Sequence, residues 1–184
     1  MKQNKINSDN KLLMICMTAM FAALICVATM VIQIPSPLGG YVNFGDCFIL
    51  VAAWVLGPVY GFAAGGIGSA LADAFTGYAH YIPGTFVIKG LIAVMAALIV
   101  HAFIKRGEKF KLAGYAVGGA VSEIWMIAGY YLYAATFLGK GFAGAWLSVG
   151  GNAVQGAFGA IVGVALIQVI VRTKVLRKFG GYAT

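Results

Sequence analysis

Nearly all of this 184-residue chain can be divided into apolar segments that are long enough to cross a lipid bilayer. A membrane-spanning helix needs about 20 mostly apolar residues, because the hydrocarbon core of a bilayer is about 30 Å thick. Charged residues make up only 10% of the chain, against about a quarter in an ordinary soluble domain. Since so few charges cannot cover a water-exposed surface, the sequence predicts an all-α, polytopic membrane protein embedded in the lipid bilayer.

We predict a bundle of six transmembrane helices in one membrane domain. The bundle occupies residues 12–171 of the domain 1–184, with cytoplasmic tails at residues 1–11 and 172–184. The six spans are residues 12–34, 44–56, 58–76, 84–104, 112–137 and 142–171. The second span is short for a full crossing, and an alternative count of five joins spans two and three into one helix broken after Gly57.

The basic residues indicate the orientation of the chain. Three Lys precede the first span, four Lys or Arg fill the loop between spans four and five, and four follow the last span. The positive-inside rule therefore places both termini in the cytoplasm, whereas five spans would separate the two basic termini. This asymmetry accounts for the net charge of +8, so the basic composition predicts no nucleic-acid partner.

The chain contains no recognisable motif for catalysis, metal binding or a cofactor. It lacks H-E-x-x-H and G-x-S-x-G, and its two histidines, His80 and His101, are far apart in the chain. The GGIGSA stretch at residues 65–70 begins like a phosphate-binding loop, but it lies inside a predicted span and follows no strand. We therefore expect no enzyme, no resident cofactor and no metal.

Six polar or charged side chains lie inside the predicted spans, at mid-depth or in the outer half. They are Asp46, Asp73, Lys89, Glu123, Asn152 and Gln155. A charge within the bilayer is costly, so an intramembrane ionisable residue indicates a functional site by default. Because the inner half carries few such groups, the pattern predicts a pocket that opens outward and is sealed below. Outer loops rich in Gly, Pro and aromatics, at residues 35–43, 77–83 and 138–144, suit a lid over a small ligand.

Each of these residues also has a purely structural interpretation. Asp73 and Lys89 flank one short outer loop, so they are predicted to form an ion pair that fixes spans three and four. Glu123 has no obvious partner, and it either meets a ligand or is a protonated acid hydrogen-bonded to a neighbouring helix. Asn152 and Gln155 share one helix face, where they either contact a ligand or bridge helices.

Aromatic and small residues leave similar alternatives open. Trp125, Tyr130 and Trp146 either stack on a flat ring or belong to the aromatic belt at the lipid interface. Ala19 and Ala23 form a small-xxx-small pair in the first span, which serves either packing within the bundle or docking of another membrane subunit. Equivalent glycine pairs in spans three and six predict close helix packing.

The run VNFGDCFILVAAWVLGPVYGFAAGGIGSALADAFTGYAHYIPGTFVIKG, residues 42–90, resembles the substrate-binding S components of energy-coupling factor (ECF) transporters. The resemblance rests on its F-G-D, L-G-P, G-x-G-S-A-L-A-D and P-x-T-F-x-x-K-G elements, which fall in the second, third and fourth spans. These elements look like the branch that includes riboflavin, hydroxymethylpyrimidine and vitamin B6 carriers. The chain length, the six spans and the inward termini fit the same family.

The resemblance implies a small vitamin-capture subunit in the plasma membrane of a bacterium, with no ATPase activity of its own. Its partners would be a membrane coupling subunit and two cytoplasmic ATPase subunits, and Ala19 and Ala23 match the face that meets the coupling subunit in that family. The ligand would lie near the outer surface, beneath the loop between spans one and two. The loaded subunit would deliver it by toppling in the membrane. The implied substrate-binding residues are Glu123, Trp125, Tyr130, Trp146, Asn152 and Gln155, with Tyr41 and Asp46 beside them.

We expect the ligand to be a small, flat heteroaromatic vitamin or vitamin precursor. Aromatic side chains would stack on the ring, Asn152 and Gln155 would bind ring nitrogens and hydroxyls, and Glu123 would meet an amino group or a ring cation. This description favours hydroxymethylpyrimidine or a B6 vitamer over riboflavin. An ATPase-independent secondary transporter and a membrane enzyme acting on a lipid or prenyl substrate stay open as alternatives.

Overall fold

The structure, a computed structural model, describes residues 8–35 and 41–173. Most of both predicted tails, residues 1–7 and 174–184, and the centre of the first predicted outer loop, residues 36–40, lie outside the described residues. The described elements are α1 (Ser8–Val31), β1 (Gln33–Pro35), β2 (Tyr41–Asn43), α2 (Gly45–Thr76), α3 (Ile82–Ile104), α4 (Lys111–Thr136), α5 (Gly141–Ala145) and α6 (Val149–Arg172). Short 3-10 helices precede α3, α4 and α6 at Ala79–Tyr81, Glu108–Phe110 and Trp146–Ser148.

The number of long helices differs from the predicted six. Within the described ranges, five helices are long and apolar enough to cross a membrane. The predicted second and third spans are joined in α2, so the alternative of one helix broken after Gly57 describes the observed element. Gly57 has a φ of 82° and a ψ of −177°, which is not helical geometry. Glycine accepts a positive φ without a Cβ clash, and Pro58 begins the next helical segment, where its missing N–H is not needed.

Helix α2 reverses its direction at Gly57. A Cβ placed on Gly61 would lie 3.0 Å from the Cα of Ala53, and one on Gly65 would lie 3.1 Å from the Cγ2 of Ile49. In a straight helix these pairs would be roughly 12 and 24 Å apart, because the rise is 1.5 Å per residue. The two halves of α2 therefore lie side by side, and the close packing predicted for the glycine pair in span three is confirmed.

The first half of α2 forms the centre of the bundle. Residues 49–56 are all buried, including Trp54, the largest fully buried side chain. A Cβ placed on Gly119 of α4 or Gly163 of α6 would lie 3.6 or 3.2 Å from the Cδ1 of Leu50, so both helices approach this segment closely. Because other helices surround the segment, it does not need the length of a helix that crosses lipid. This burial explains why the predicted second span is short.

The last predicted span, residues 142–171, is divided in the structure. Its first residues form α5 and a 3-10 helix, and α6 begins only at Val149. Gly139 and Gly141, with φ of 67° and 66°, redirect the chain before α5. The division places the first turn of α6 beside the ribbon of β1 and β2.

The two ends of the bundle differ in character. The ribbon end carries the antiparallel strands β1 and β2 and the connections that precede α3 and α6. The side chain of Gln33 in the ribbon donates a 3.3 Å hydrogen bond to Thr76, which brings the last turn of α2 to this end. The opposite, basic end carries the start of α1, the turn at Gly57, the α3–α4 connection and the end of α6. The basic residues described there are Lys11, Lys105, Arg106, Lys109, Lys111 and Arg172.

Candidate functional site

A polar cavity lies at the ribbon end, between α1, α2, α3, α4, α6 and strand β2. The cavity is partly open to solvent. Most of its wall consists of residues with a polar side-chain group. The lining residues are Thr29, Tyr41, Val42, Asn43, Ser69, Asp73, Tyr81, Thr85, Lys89, Tyr130, Ala134, Ser148, Gly151, Asn152 and Gln155.

A buried ion pair between Lys89 and Asp46 lies at this cavity. The Nζ of Lys89 bonds to the Oδ1 of Asp46, and the side chains are only 3% and 0% exposed. The predicted pairing of Lys89 with Asp73 is therefore wrong. The fold-back of α2 gives the reason, because the first turn of α2 stands next to its second half. The backbone of Lys89 packs against Gly65, and Asp73 lies eight residues, or roughly 12 Å, further along α2.

Gln155 links the ion pair to the ribbon. Its Nε2 donates a 2.6 Å hydrogen bond to the Oδ2 of Asp46. Its Oε1 accepts a 2.8 Å hydrogen bond from the backbone N–H of Asn43 and a 3.4 Å bond from the Asn43 side chain. The Oδ1 of Asn43 in turn accepts a 2.9 Å bond from the N–H of Gly45. This network satisfies the Asp46 carboxylate and fixes β2 and the start of α2 against α6.

Asp73 is bonded to the ribbon instead of to Lys89. The hydroxyl of Tyr41 donates a 2.6 Å hydrogen bond to the Oδ1 of Asp73. Burial, followed by the charge of the Asp73 carboxylate, raises the pKa of Tyr41, so the phenol stays protonated and remains a donor. The ring of Tyr41 also contacts the ring of Tyr78, with centroids 4.7 Å apart. Strand β2 is thereby held over the end of α2.

Tyr130 forms an aromatic wall of the cavity. Its hydroxyl donates a 3.0 Å hydrogen bond to the Oγ1 of Thr85, which holds the ring in place. The Nζ of Lys89 lies 5.6 Å from the ring centroid, within the range of a cation–π interaction. Tyr130 therefore offers a ring for stacking next to a positive charge.

Four of the predicted substrate-binding residues line the cavity, and a fifth supports them. Tyr41, Tyr130, Asn152 and Gln155 form part of the wall. Asp46 does not belong to the wall, but it is hydrogen-bonded to Gln155 and paired with Lys89, which do. The sequence thus identified residues from β2, α4 and α6 that the fold brings to one place.

The other three predicted residues lie outside the wall of this cavity. Glu123 is buried against Gly156, and neither of its carboxylate oxygens has a hydrogen-bond partner among the described residues. The Nε1 of Trp125 donates a 3.3 Å hydrogen bond to the carbonyl of Ile88. Trp146 is 65% exposed. A direct contact between these three side chains and a ligand stays a prediction.

Several lining residues escaped the sequence interpretation. Thr29 comes from α1 and Ser69 from the second half of α2, whereas none of the predicted substrate-binding residues lies in span one or span three. Ser69 stands four residues before Asp73, so a search for polar residues on the face of Asp73 would have found it. Thr29 is one of several Thr in apolar sequence, and nothing in the neighbouring sequence indicates that it lines a cavity.

Among the described residues, no group of three or more His, Cys, Asp or Glu could hold a metal ion.

These features define a class of protein: a polytopic helical membrane protein with a cavity lined by polar residues at one end. The family model of the ECF-type riboflavin transporter S component matches residues 9–172. The chain therefore belongs to the S component family of ECF-type transporters, whose members are membrane transport subunits. This match confirms the family that the resemblance of residues 42–90 predicted.

Two similar proteins extend this comparison. A protein from Pyrococcus woesei, described as an uncharacterized protein in a gap 3' region, is 38% identical over 143 residues, which cover 77% of this chain and 90% of that protein. A solved structure, titled as the structure and mechanism of the S component of a bacterial ECF transporter, has a TM-score of 0.65 and 20% sequence identity. The alignment covers 90% of this chain and 99% of that one, so the two share their fold.

Proposed function

We propose that this chain is the vitamin-binding S component of an ECF-type importer. It captures a small, flat heteroaromatic ring in the cavity at the ribbon end. The observation that carries this proposal is the position of the cavity. It is polar, it lies at one end of the bundle, and it stands above the apolar core built on the first half of α2.

We propose that the chain passes through the membrane six times, with both termini in the cytoplasm. The reversal at Gly57 supports this arrangement, because it turns α2 into two antiparallel segments. The positive-inside rule assigns the basic end, with Lys11, Lys105 and Arg172, to the cytoplasm. The cavity then faces the outside of the plasma membrane, where a vitamin arrives.

The lining of the cavity favours a single-ring ligand such as hydroxymethylpyrimidine or a B6 vitamer. Only Val42, Ala134 and Gly151 among its lining residues lack a polar side-chain group or a hydroxyl. A small polar ring can stack on Tyr130 and bond to the surrounding groups at its edge.

Riboflavin is the second candidate. It is supported by the description of the family whose model matches this chain, the ECF-type riboflavin transporter S component. The hydroxyl and amide groups of the wall would then bind the sugar-alcohol chain of the vitamin. Both candidates use the same cavity and differ in the size of the ring system.

We propose that partner subunits, and not a channel through this chain, bring the bound ligand into the cell. We propose that the loaded subunit docks on a membrane coupling subunit through the face with Ala19 and Ala23 and topples, which carries the cavity to the cytoplasmic side. Two cytoplasmic ATPase subunits supply the energy. Both alanines are exposed on α1, which supports a docking face there.

Ligand identification tests the proposed function. The protein is purified in detergent from cells grown in rich medium, and co-purifying small molecules are identified by mass spectrometry. Apo protein is then titrated with hydroxymethylpyrimidine, pyridoxine, pyridoxamine and riboflavin, with the melting temperature and calorimetry as readouts. We expect one of these vitamins to bind with nanomolar affinity and Asn152→Ala to weaken it. Ile124→Trp, on the exposed face of α4, serves as the control that leaves affinity unchanged.

Three results would contradict the proposal. If no vitamin of this panel shifts the melting temperature, the assignment of a vitamin ligand fails. If uptake in cells survives deletion of the coupling subunit, the protein is a secondary transporter. If the purified chain alone turns over a lipid or prenyl substrate, it is an enzyme.

A further inference from the structure

Three buried polar side-chain atoms in residues of the cavity wall have no hydrogen-bond partner among the described residues. They are the Oγ1 of Thr29, the Oγ of Ser69 and the Oδ2 of Asp73, and each residue is 2% exposed. All three residues belong to the cavity wall. Buried polar atoms in proteins are almost always hydrogen-bonded, so three unpartnered atoms on one wall indicate a place for a missing partner.

The positions of these residues are set by helix geometry. Ser69 and Asp73 stand four residues apart in the second half of α2, so their side chains share one face. Thr29 reaches the cavity from α1, where its hydroxyl lies against the backbone of Gly45 at the start of α2. No side chain larger than hydrogen fits at Gly45, because a Cβ there would overlap the Thr29 hydroxyl. The three atoms therefore come from two helices that pack against each other.

The unpartnered atoms of Thr29, Ser69 and Asp73 can all accept a hydrogen bond. The Oδ1 of Asp73 already accepts a bond from Tyr41, and the Thr85 hydroxyl also lies near this carboxylate, whereas Oδ2 has no partner at hydrogen-bond geometry and can accept another bond. A carboxylate can only accept, and the hydroxyls of Ser69 and Thr29 can accept or donate. The one ammonium group on the cavity wall, that of Lys89, is bonded to Asp46. The complementary ligand group is therefore an N–H or O–H donor, and a positively polarised donor fits best.

We propose that Thr29, Ser69 and Asp73 form an acceptor subsite that binds a donor group on the edge of the vitamin ring. This inference rests on the proposed function, because it assumes that a vitamin enters the cavity. Exocyclic amino groups and ring N–H groups are the donors that this subsite selects. The subsite lies on α1 and the second half of α2, whereas the predicted binding residues lie on β2, the first turn of α2, α4 and α6. Asp73 decides which ring is accepted.

Matched ligand pairs test the subsite. Each pair consists of a vitamin and an analogue that lacks one donor: hydroxymethylpyrimidine with its deaminated analogue, pyridoxamine with its deaminated analogue, and riboflavin with its form methylated at the ring imide nitrogen. We expect the wild-type protein to prefer the parent by about tenfold or more, as for a hydrogen bond to a charged group. In Asp73→Asn, which keeps the shape of the side chain, we expect the preference to fall to within about threefold.

Two further variants keep the test decisive if Asp73→Asn does not fold. Ser69→Ala and Thr29→Val remove one hydroxyl each, and both are expected to weaken the parent more than the analogue. A purely structural role of these residues would weaken both members of a pair by the same factor. If wild-type protein binds a parent and the variants lower both affinities equally, the subsite is wrong and the proposed function stands. If wild-type protein binds no parent, the proposed function itself fails.

Discussion

Lys89 is the residue whose surroundings most depend on the fold. Its ammonium group is buried in the bundle, and the carboxylate of Asp46 compensates its charge. Desolvation of both groups offsets much of their attraction, so the pair as a whole contributes little to the free energy of unfolding. Removal of one partner is different, because it leaves the other charge buried and alone. This asymmetry makes the identity of the partner measurable.

We expect Lys89→Met to lower the free energy of unfolding by about 3–5 kcal/mol, because Asp46 then remains as an uncompensated buried charge. Asp46→Asn in the same background should restore part of the loss, while Asp73→Asn should not. Chemical denaturation in detergent micelles measures each variant and each double variant. Equal rescue by Asp73→Asn would mean that Lys89 pairs with Asp73 after all.

Glu123 presents the opposite case, a buried carboxylate for which the described structure offers no donor. It lies close to Asp46, since a Cβ on Gly159 would meet the Cβ of Asp46 at 2.8 Å and the Oε1 of Glu123 at 3.3 Å. We expect Glu123→Gln to raise the free energy of unfolding by on the order of 1 kcal/mol, because it removes an acid next to another acid. If Glu123 acts only inside the bundle, as its place outside the cavity wall indicates, vitamin affinity stays within about twofold, and the predicted contact with a ligand is then wrong.

Thermal unfolding and calorimetry of the same samples measure both quantities for Glu123→Gln. The contrasting variant is Gln155→Glu, which replaces an amide donor to Asp46 with a carboxylate and should lower both stability and affinity. A marked loss of affinity in Glu123→Gln with unchanged stability would show that Glu123 contacts the ligand, as the sequence predicted.

The candidate site was predictable where a single residue stands out in apolar sequence. Asp46, Asn152 and Gln155 were identified because polar groups in a membrane segment need a reason to be there. Tyr41, in a predicted outer loop, was named only beside the residues that the family resemblance implied. Their pairing was not predictable in the same way. Asp73 and Lys89 are neighbours across a short loop, whereas the true partner of Lys89 is set by the reversal of α2. Proximity in the chain is a poor guide when a helix folds back on itself.

At the scale of elements, glycine decides how closely the helices approach. Gly68 in α2 lies against the backbone of α1, where an added Cβ would stand 2.5 Å from the carbonyl oxygen of Ala22. Neither helix can move away without disturbing the packing of Ile25, which is fully buried. The contact therefore has no room for a methyl group.

We expect Gly68→Ala to lower the free energy of unfolding by about 1–3 kcal/mol or more, as overpacking in a dense core does. Gly150→Ala in the first turn of α6 is the matched control, because no atom lies within 4 Å of its added Cβ. The control should leave stability unchanged or raise it slightly, since alanine favours a helix. Denaturation in detergent compares the two, and equal stability of both variants would mean that α1 and α2 are less closely packed than described.

Helix boundaries were largely predictable, and the number of helices was not. Proline and glycine mark helix ends, so α3 begins with Pro83 in its first turn and α2 ends before Gly77, which has a φ of 85°. Hydropathy, however, measures only whether a segment tolerates an apolar environment. It cannot distinguish a segment surrounded by lipid from one surrounded by protein, so it could not show that the first half of α2 is enclosed by other helices and continuous with the second half.

At the scale of the whole molecule, the cavity and the exposed face of α1 occupy different surfaces. The cavity lies at the ribbon end, whereas Ala19 and Ala23 stand one turn apart along α1 and are both exposed. Ile15, Met20 and Val27 on the same helix are exposed as well. Exposed apolar side chains suit either lipid or another membrane helix, and the two alanines leave a shallow place for close approach of a helix. Ligand capture and docking can therefore be separated by mutation.

We expect Ala19→Trp to abolish assembly with the coupling subunit while the isolated protein still binds its vitamin, because the large ring fills the docking face and leaves the cavity untouched. Co-purification with a tagged coupling subunit and ATP-dependent uptake should fall by about tenfold or more, as for a residue at the centre of an interface. Ile124→Trp adds the same ring to an exposed position of α4 and should change neither readout. Loss of vitamin binding together with assembly would mean that this face packs inside the bundle. Unchanged assembly would place the docking surface on another helix.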